Sequence, residues 1–145
     1  MLVGEFSPSS GEAFIYGHSV LSDLDEVRTL VGICPQSDCL WPELTAREHL
    51  RIYAELKGVP RSQIQSEIDA RLSDVNLMDV GNWKSKSFSG GMKRRLSVAI
   101  SCIGNPKLIL LDEPTTGLDP LSRRHIWAAI QRLKKGRVVL LTTHA

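Results

Sequence analysis

No stretch of this 145-residue chain holds the ~18 consecutive apolar residues of a membrane-spanning helix, so the chain is not expected to cross a bilayer by itself. Charge of one sign is scarce as well. Lys and Arg number 18 against 16 Asp and Glu, a net +2 with the basic residues dispersed, and no nucleic-acid partner is expected. Cysteine is sparse: Cys34, Cys39 and Cys102 are odd in number and have neither disulfide-framework nor CxxC zinc spacing. No signal-peptide pattern opens the chain, which together with the thiols points to a reducing, cytosolic setting. Repeats, low-complexity tracts and linker-like stretches are missing too, so a second independent domain is not expected. What is there is ordinary for a globular protein, 42% apolar and 23% charged.

The segments alternate in kind. Residues 12–16 (EAFIY) and 30–34 (LVGIC) are short β-rich runs bounded by Gly11, Gly17 and Pro35, and both read as strands. Thr45 followed by Glu48 is a capping box that predicts a helix running to about Lys57, ahead of Gly58 and Pro60. Ser62 with Gln65 reads as a second capping box, and Ile64, Ile68, Leu72 and Val75 then line one face of an amphipathic helix. A third helix follows Gly90–Gly91, with Met92, Leu96, Ala99, Ile100 and Ile103 on one side, and stops at residues 104–106 (GNP). A strand over 107–111 comes next, then a helix from Pro120 to about Lys135 with Asp119 as N-cap, and a second buried strand over 138–143. The final third is thus a βαβ unit with a parallel sheet. The expected fold class is α/β: a sheet core from about 1–36 and 104–145, with a helical insert over about 37–103.

Chemistry concentrates at strand ends. In residues 108–120 (LILLDEPTTGLDP) an apolar run leads into two adjacent carboxylates, Asp112 and Glu113, at the C-terminal end of a strand, where α/β sheets bind ligands. One acid there can hold Mg²⁺ while the next orients or deprotonates an attacking water. Residues 88–97 (FSGGMKRRLS) place Gly90 and Gly91 at a helix start, leaving backbone N–H groups and the positive end of the helix dipole for an anion, with Ser89 adding a hydroxyl. Glycine there keeps a side chain from blocking a phosphate. Lys93, Arg94 and Arg95 read as a solvated face. Gln36, just past the 30–34 strand, can contact a metal or the attacking water; His144, just past the last strand, can donate to a γ-phosphate. Taken alone, a loop Gln and a strand-end His are both commonplace.

In their order and spacing these elements resemble the nucleotide-binding domain of ATP-binding-cassette (ABC) ATPases. Gln36 matches the Q-loop, SGGM (89–92) the signature motif, LILLDE (108–113) the Walker B strand, GLDP (117–120) the D-loop and His144 the switch histidine. The resemblance covers essentially the whole chain. Met92 where most signatures carry glutamine, KRRLS after it and CPQ-x-D-x-L around Gln36 are most similar to subfamily A, its plant-type members especially, and that subfamily consists mainly of lipid movers. The resemblance implies part of a P-loop NTPase fold, with ATP and Mg²⁺ as ligands. Glu113, His144 and Gln36 would be catalytic, and Asp112 with Gln36 would hold Mg²⁺. Ser89, Gly90 and Gly91, with Asp119 of the D-loop, would meet the ATP of a second cassette. The partners implied are that second nucleotide-binding domain, paired head to tail, and the transmembrane domains of the same transporter, at the cytoplasmic face of a membrane.

One family element is missing. The phosphate loop, G-x-x-x-x-G-K-[ST], has no match, because no glycine of the chain is followed by lysine. The resemblance places that loop and the adenine-stacking aromatic ahead of Met1, and the family's last strands and helices beyond Ala145. The chain is therefore expected to be an interior slice of a cassette, inactive alone. Two alternatives stay open at this point: a soluble ABC ATPase of the translation-factor type, and a truncated remnant without turnover. Chromosome-type members, with a long coiled coil between Q-loop and signature, fit poorly with the 52 residues between Gln36 and Ser89.

Overall fold

The computed structural model describes residues 9–143. The first elements are two-residue strands, β1 (Phe14–Ile15) and β2 (His18–Ser19), paired antiparallel across Tyr16 and Gly17. Both turn residues have positive φ, 51° and 85°, the geometry that matches the twist of a tight hairpin. The strand expected over 12–16 is therefore one short arm of a hairpin. Helix α1 (Leu24–Leu30) follows, where no helix was expected. Its N-cap residue Asp23 makes no cap bond, because the carboxylate accepts instead from Ser19 N–H at 2.9 Å, so the usual start signal is spent on the preceding hairpin.

Strand β3 (Val31–Cys34) leads into helix α2 (Ala46–Leu56), which begins with the expected capping box: Thr45 Oγ1 accepts from Glu48 N–H at 3.1 Å and Glu48 Oε2 from Thr45 N–H at 2.7 Å. Helix α3 (Arg61–Asp74) does not use the second expected box. It starts from Pro60, with no side-chain cap, and Ser62 already lies inside it, while Gln65 donates to Asp69. Its predicted face is correct, with Ile64, Ile68, Leu72 and Val75 all buried. Two 3₁₀ turns, Met78–Val80 and Ser85–Ser87, connect to helix α4 (Gly90–Ser101). Strand β4 (Leu108–Asp112), helix α5 (Pro120–Leu133) and strand β5 (Val138–Thr142) form the expected βαβ unit.

Strands β3, β4 and β5 make a parallel sheet with β4 central, Ile33 beside Leu110 beside Leu140. The face carrying Cys34, Ile109 and Leu111 packs with Leu96 and Val98 of α4 and Ile130 and Leu133 of α5 in one apolar cluster, which also takes in Leu50, Ile68 and Leu72 of α2 and α3. Helix α4 presses so closely on β3 that a Cβ at Gly32 would sit 1.7 Å from the Ser101 carbonyl oxygen, so only glycine fits there. On the opposite face, α1 and the hairpin cover Val31, while Ile33 and Leu140 stay 44% and 52% exposed. That corrects the reading of 138–143 as a buried strand. An apolar run implies burial on both faces only when both are covered, and among the described residues β5 is covered on one.

Candidate functional site

Asp112 is the last residue of β4 and pairs in register with Thr142 of β5, whose hydroxyl donates to Asp112 Oδ1 at 2.5 Å. Glu113 follows with φ +44°, a left-handed conformation that costs a non-glycine residue roughly 1–3 kcal/mol. It is held there from both sides of its peptide: its N–H lies 3.2 Å from both the carbonyl and the hydroxyl oxygen of Thr142, and its carbonyl faces a guanidinium described below. That turn aims the carboxylate at the loop after β3. Gln36 Nε2 donates to Glu113 Oε2 at 3.1 Å, and Thr116 Oγ1 donates to the same oxygen at 3.0 Å. The structure thus joins Gln36, Asp112 and Glu113 in one cluster and adds Thr116 and Thr142, which the sequence reading had not singled out. His144 lies outside the described residues.

The charged triplet on α4 does not form a solvated face. Arg94 is only 4% exposed and spends its whole guanidinium on the two loops that carry the cluster. Nη1 donates to the carbonyls of Pro35 (2.6 Å) and Gln36 (3.1 Å) and lies 3.3 Å from Asp38 Oδ1. Nη2 reaches the carbonyls of Asp112 (2.7 Å) and Glu113 (3.3 Å), and Nε that of Pro114 (3.1 Å). Asp38 also accepts from Ser97 Oγ at 2.8 Å. The cause is helical period: Arg94, Ser97, Val98 and Ser101 recur at steps of three, one and three on the side of α4 that faces the sheet. A stripe of small and polar residues opposite Gly32 was the available signal. Arg95 points elsewhere, donating to the carbonyls of Val75 and Asn76 at the end of α3.

The second group lies at the N-termini of α4 and α5. Ser89 is the N-cap of α4, its Oγ accepting from Met92 N–H at 3.2 Å, and Asp119 is the N-cap of α5, accepting from Ser122 N–H at 2.9 Å. Hydrogen bonds from Ser122 hold the Asp119 carboxyl below its ordinary value. The two signature glycines differ. A Cβ on Gly90 would meet nothing within 4 Å, whereas one on Gly91 would sit 2.2 Å from Ser122 Oγ. Gly90 therefore borders open space, and Gly91 is where α4 rests on α5.

Among the described residues no three His, Cys, Asp or Glu side chains gather as a metal cage. The exposed Asp112 carboxylate and the Gln36 amide supply hard oxygen donors only. That set suits an ion such as Mg²⁺, which keeps waters and takes its other ligands from phosphate.

Known proteins resemble the chain along almost its whole length. The ABC transporter family model matches residues 1–116. ABC transporter A family member 2 of Arabidopsis thaliana is 51% identical over 99% of this chain, and ABC transporter A family member 8 of Dictyostelium discoideum is 54% identical over 99% of it. The chain spans 15% and 17% of those two proteins' lengths. A solved ATP-binding subunit of an ABC transporter superposes with a TM-score of 0.81 and 28% identity, over 99% of this chain and 60% of that one. With the parallel sheet, the strand-end carboxylates and the signature helix in place, the chain belongs to the ABC transporter family, with its relatives in subfamily A.

Proposed function

We propose that these residues carry the metal-binding, water-activating and signature elements of an ATP-hydrolysing cassette whose turnover powers lipid movement across a membrane. The observation that carries the reading is the Glu113 carboxylate, held in a left-handed turn beside Asp112 and fixed by Gln36 and Thr116. A general base must first be fixed within hydrogen-bond reach of the proton it takes. In this reading Glu113 takes a proton from the attacking water at a carboxylate oxygen, and the Gln36 amide holds both Glu113 and the water. Asp112, oriented by Thr142, and the Gln36 amide are the residues that would hold Mg²⁺. The metal would neutralise charge on the phosphate oxygens. Ser89 and Gly90, at the open N-terminus of α4, present hydroxyl and N–H donors to the nucleotide of a second cassette, with Asp119 at the neighbouring helix start. His144 is the candidate for a contact to the γ-phosphate. Transmembrane domains and a second cassette at the cytoplasmic face are the partners this function requires. The lipid substrate rests on the likeness to subfamily A.

The test uses the native polypeptide carrying these residues, purified and reconstituted in vesicles. Glu113→Gln should retain ATP binding and lose ~10²–10⁴-fold in hydrolysis, because an amide cannot accept the proton. Asp112→Asn should weaken Mg-ATP binding instead, since it removes the charge facing the metal. ATP-dependent movement of a labelled phospholipid between leaflets should stop in both. Near-parental turnover by Glu113→Gln would remove Glu113 as the base, and ATP turnover without phospholipid movement would remove the lipid substrate.

A further inference from the structure

Five backbone carbonyls at and just past the C-terminal ends of β3 and β4 all point at one side chain. Pro35 and Gln36 come from one loop and Asp112, Glu113 and Pro114 from the other, and Arg94 bridges them from beneath. A guanidinium has five N–H groups in a rigid planar fork, enough to serve two loops at once; an ammonium has three donors at one point. The charge is not left uncompensated, because Asp38 lies 3.3 Å away and is itself oriented by Ser97. Two consequences follow from the same bonds. The Gln36 and Asp112 carbonyls are tied to adjacent nitrogens of one group, which sets the separation across which Gln36 Nε2 meets Glu113 Oε2. The Glu113 carbonyl is also held, and with its N–H bonded to Thr142 this keeps the residue in its left-handed turn.

We propose that Arg94 is a positioning residue for hydrolysis: it touches neither nucleotide nor water, and acts by holding the Gln36 loop and the Asp112–Glu113 turn in register. This rests on Glu113 and Gln36 acting on the attacking water, as proposed above. Arg94→Lys keeps the charge but cannot span both loops.

The experiment uses the native polypeptide carrying these residues. In Arg94→Lys, kcat for ATP falls about 10- to 100-fold, the loss expected when a reacting group moves by about 1 Å. Gln36→Ala should lower kcat on the order of tenfold in the parent but by less than about twofold in Arg94→Lys, because Gln36 is no longer placed to act. Leu72→Ala, a fully buried change in α3, which carries neither loop, controls for stability: it lowers the melting temperature and leaves kcat unchanged. Hydrogen–deuterium exchange supplies a readout that needs no turnover. Arg94→Lys should raise exchange at residues 35–39 and 112–116 together, and Leu72→Ala should not. Parental kcat in Arg94→Lys, a Gln36→Ala effect of equal size in both backgrounds, or unchanged exchange in the two loops would each overturn the proposal. An inactive parent would instead refute the hydrolytic reading, and the exchange data alone would then decide whether Arg94 holds the loops.

Discussion

Replacing Gly91 by alanine adds a single methyl group, and the structure gives a specific cost. The new Cβ would lie 2.2 Å from Ser122 Oγ and 2.8 Å from Ser122 Cβ. Rotating the serine hydroxyl away relieves the first contact but leaves the second, well inside the roughly 3.5–4.0 Å of a normal carbon–carbon contact. Helices α4 and α5 must separate to admit it. Overpacking of this kind costs about 1–3 kcal/mol, offset by at most about 1 kcal/mol from the better helix propensity of alanine. The net loss, with the full offset taken, is up to about 2 kcal/mol, or as much as roughly 6 °C in melting temperature for a domain of this size. Gly90→Ala, one residue earlier, meets nothing and should cost no stability.

The assay is thermal unfolding of parent, Gly90→Ala, Gly91→Ala, Ser122→Gly and the Gly91→Ala/Ser122→Gly pair. Removing the serine side chain vacates the space that the added methyl group needs, so the pair should be more stable than the sum of its single changes. Ser122→Ala should rescue less, because its Cβ remains. If Gly91→Ala melts with the parent, or the pair shows no coupling, then the glycine is not required by helix packing. Nucleotide approach would then be the remaining account of both signature glycines.

Two further outcomes follow from the same geometry. A thiol reagent at mildly alkaline pH should label Cys39 alone in the folded protein, since Cys34 and Cys102 are buried and burial pushes the Cys34 thiol up to about 12; mass spectrometry showing rapid native labelling at either would contradict this. Asp119 caps α5 as a carboxylate with a depressed pKa, so its contribution is full above the ordinary carboxylate value and lost as pH falls through the depressed one. The melting-temperature gap between parent and Asp119→Ala should therefore be widest near neutrality and close in acid; a gap independent of pH would remove the charge from the explanation.

Legibility in the sequence followed how local each signal is. The capping box at Thr45 and the N-cap at Asp119 could be read because two or three adjacent residues carry the whole interaction. The same pattern at Ser62 and Gln65 misled, because Pro60 already sets the helix start two residues earlier. Helix α1 was hidden by competition for one carboxylate, and the hairpin by its use of Tyr16 at positive φ, where Asn or Gly would have given the turn away. The apolar content of β5 was correctly read, but which face is covered depends on what packs there, and nothing in the strand itself encodes that.

The site divides along the same line. That Asp112, Glu113 and Gln36 lie together could be read because they stand at strand ends, and a parallel sheet brings such ends to one edge whatever their separation in the chain. Arg94 was harder to read, since three consecutive basic residues look alike unless the stripe of Arg94, Ser97, Val98 and Ser101 is recognised as the sheet-facing side of the helix. Once the helix is placed against the sheet, the positions of α4 sort by direction. Gly90 borders open space, Gly91 rests on α5, Arg94 underpins the acids and Arg95 ties down the end of α3. Gly90 and Arg94 are one helical turn apart, about 6 Å along the axis. The open N-terminal end of α4 and the clamp beneath Glu113 are therefore parts of one helix, so Gly90 cannot move along the axis without moving Arg94 with it.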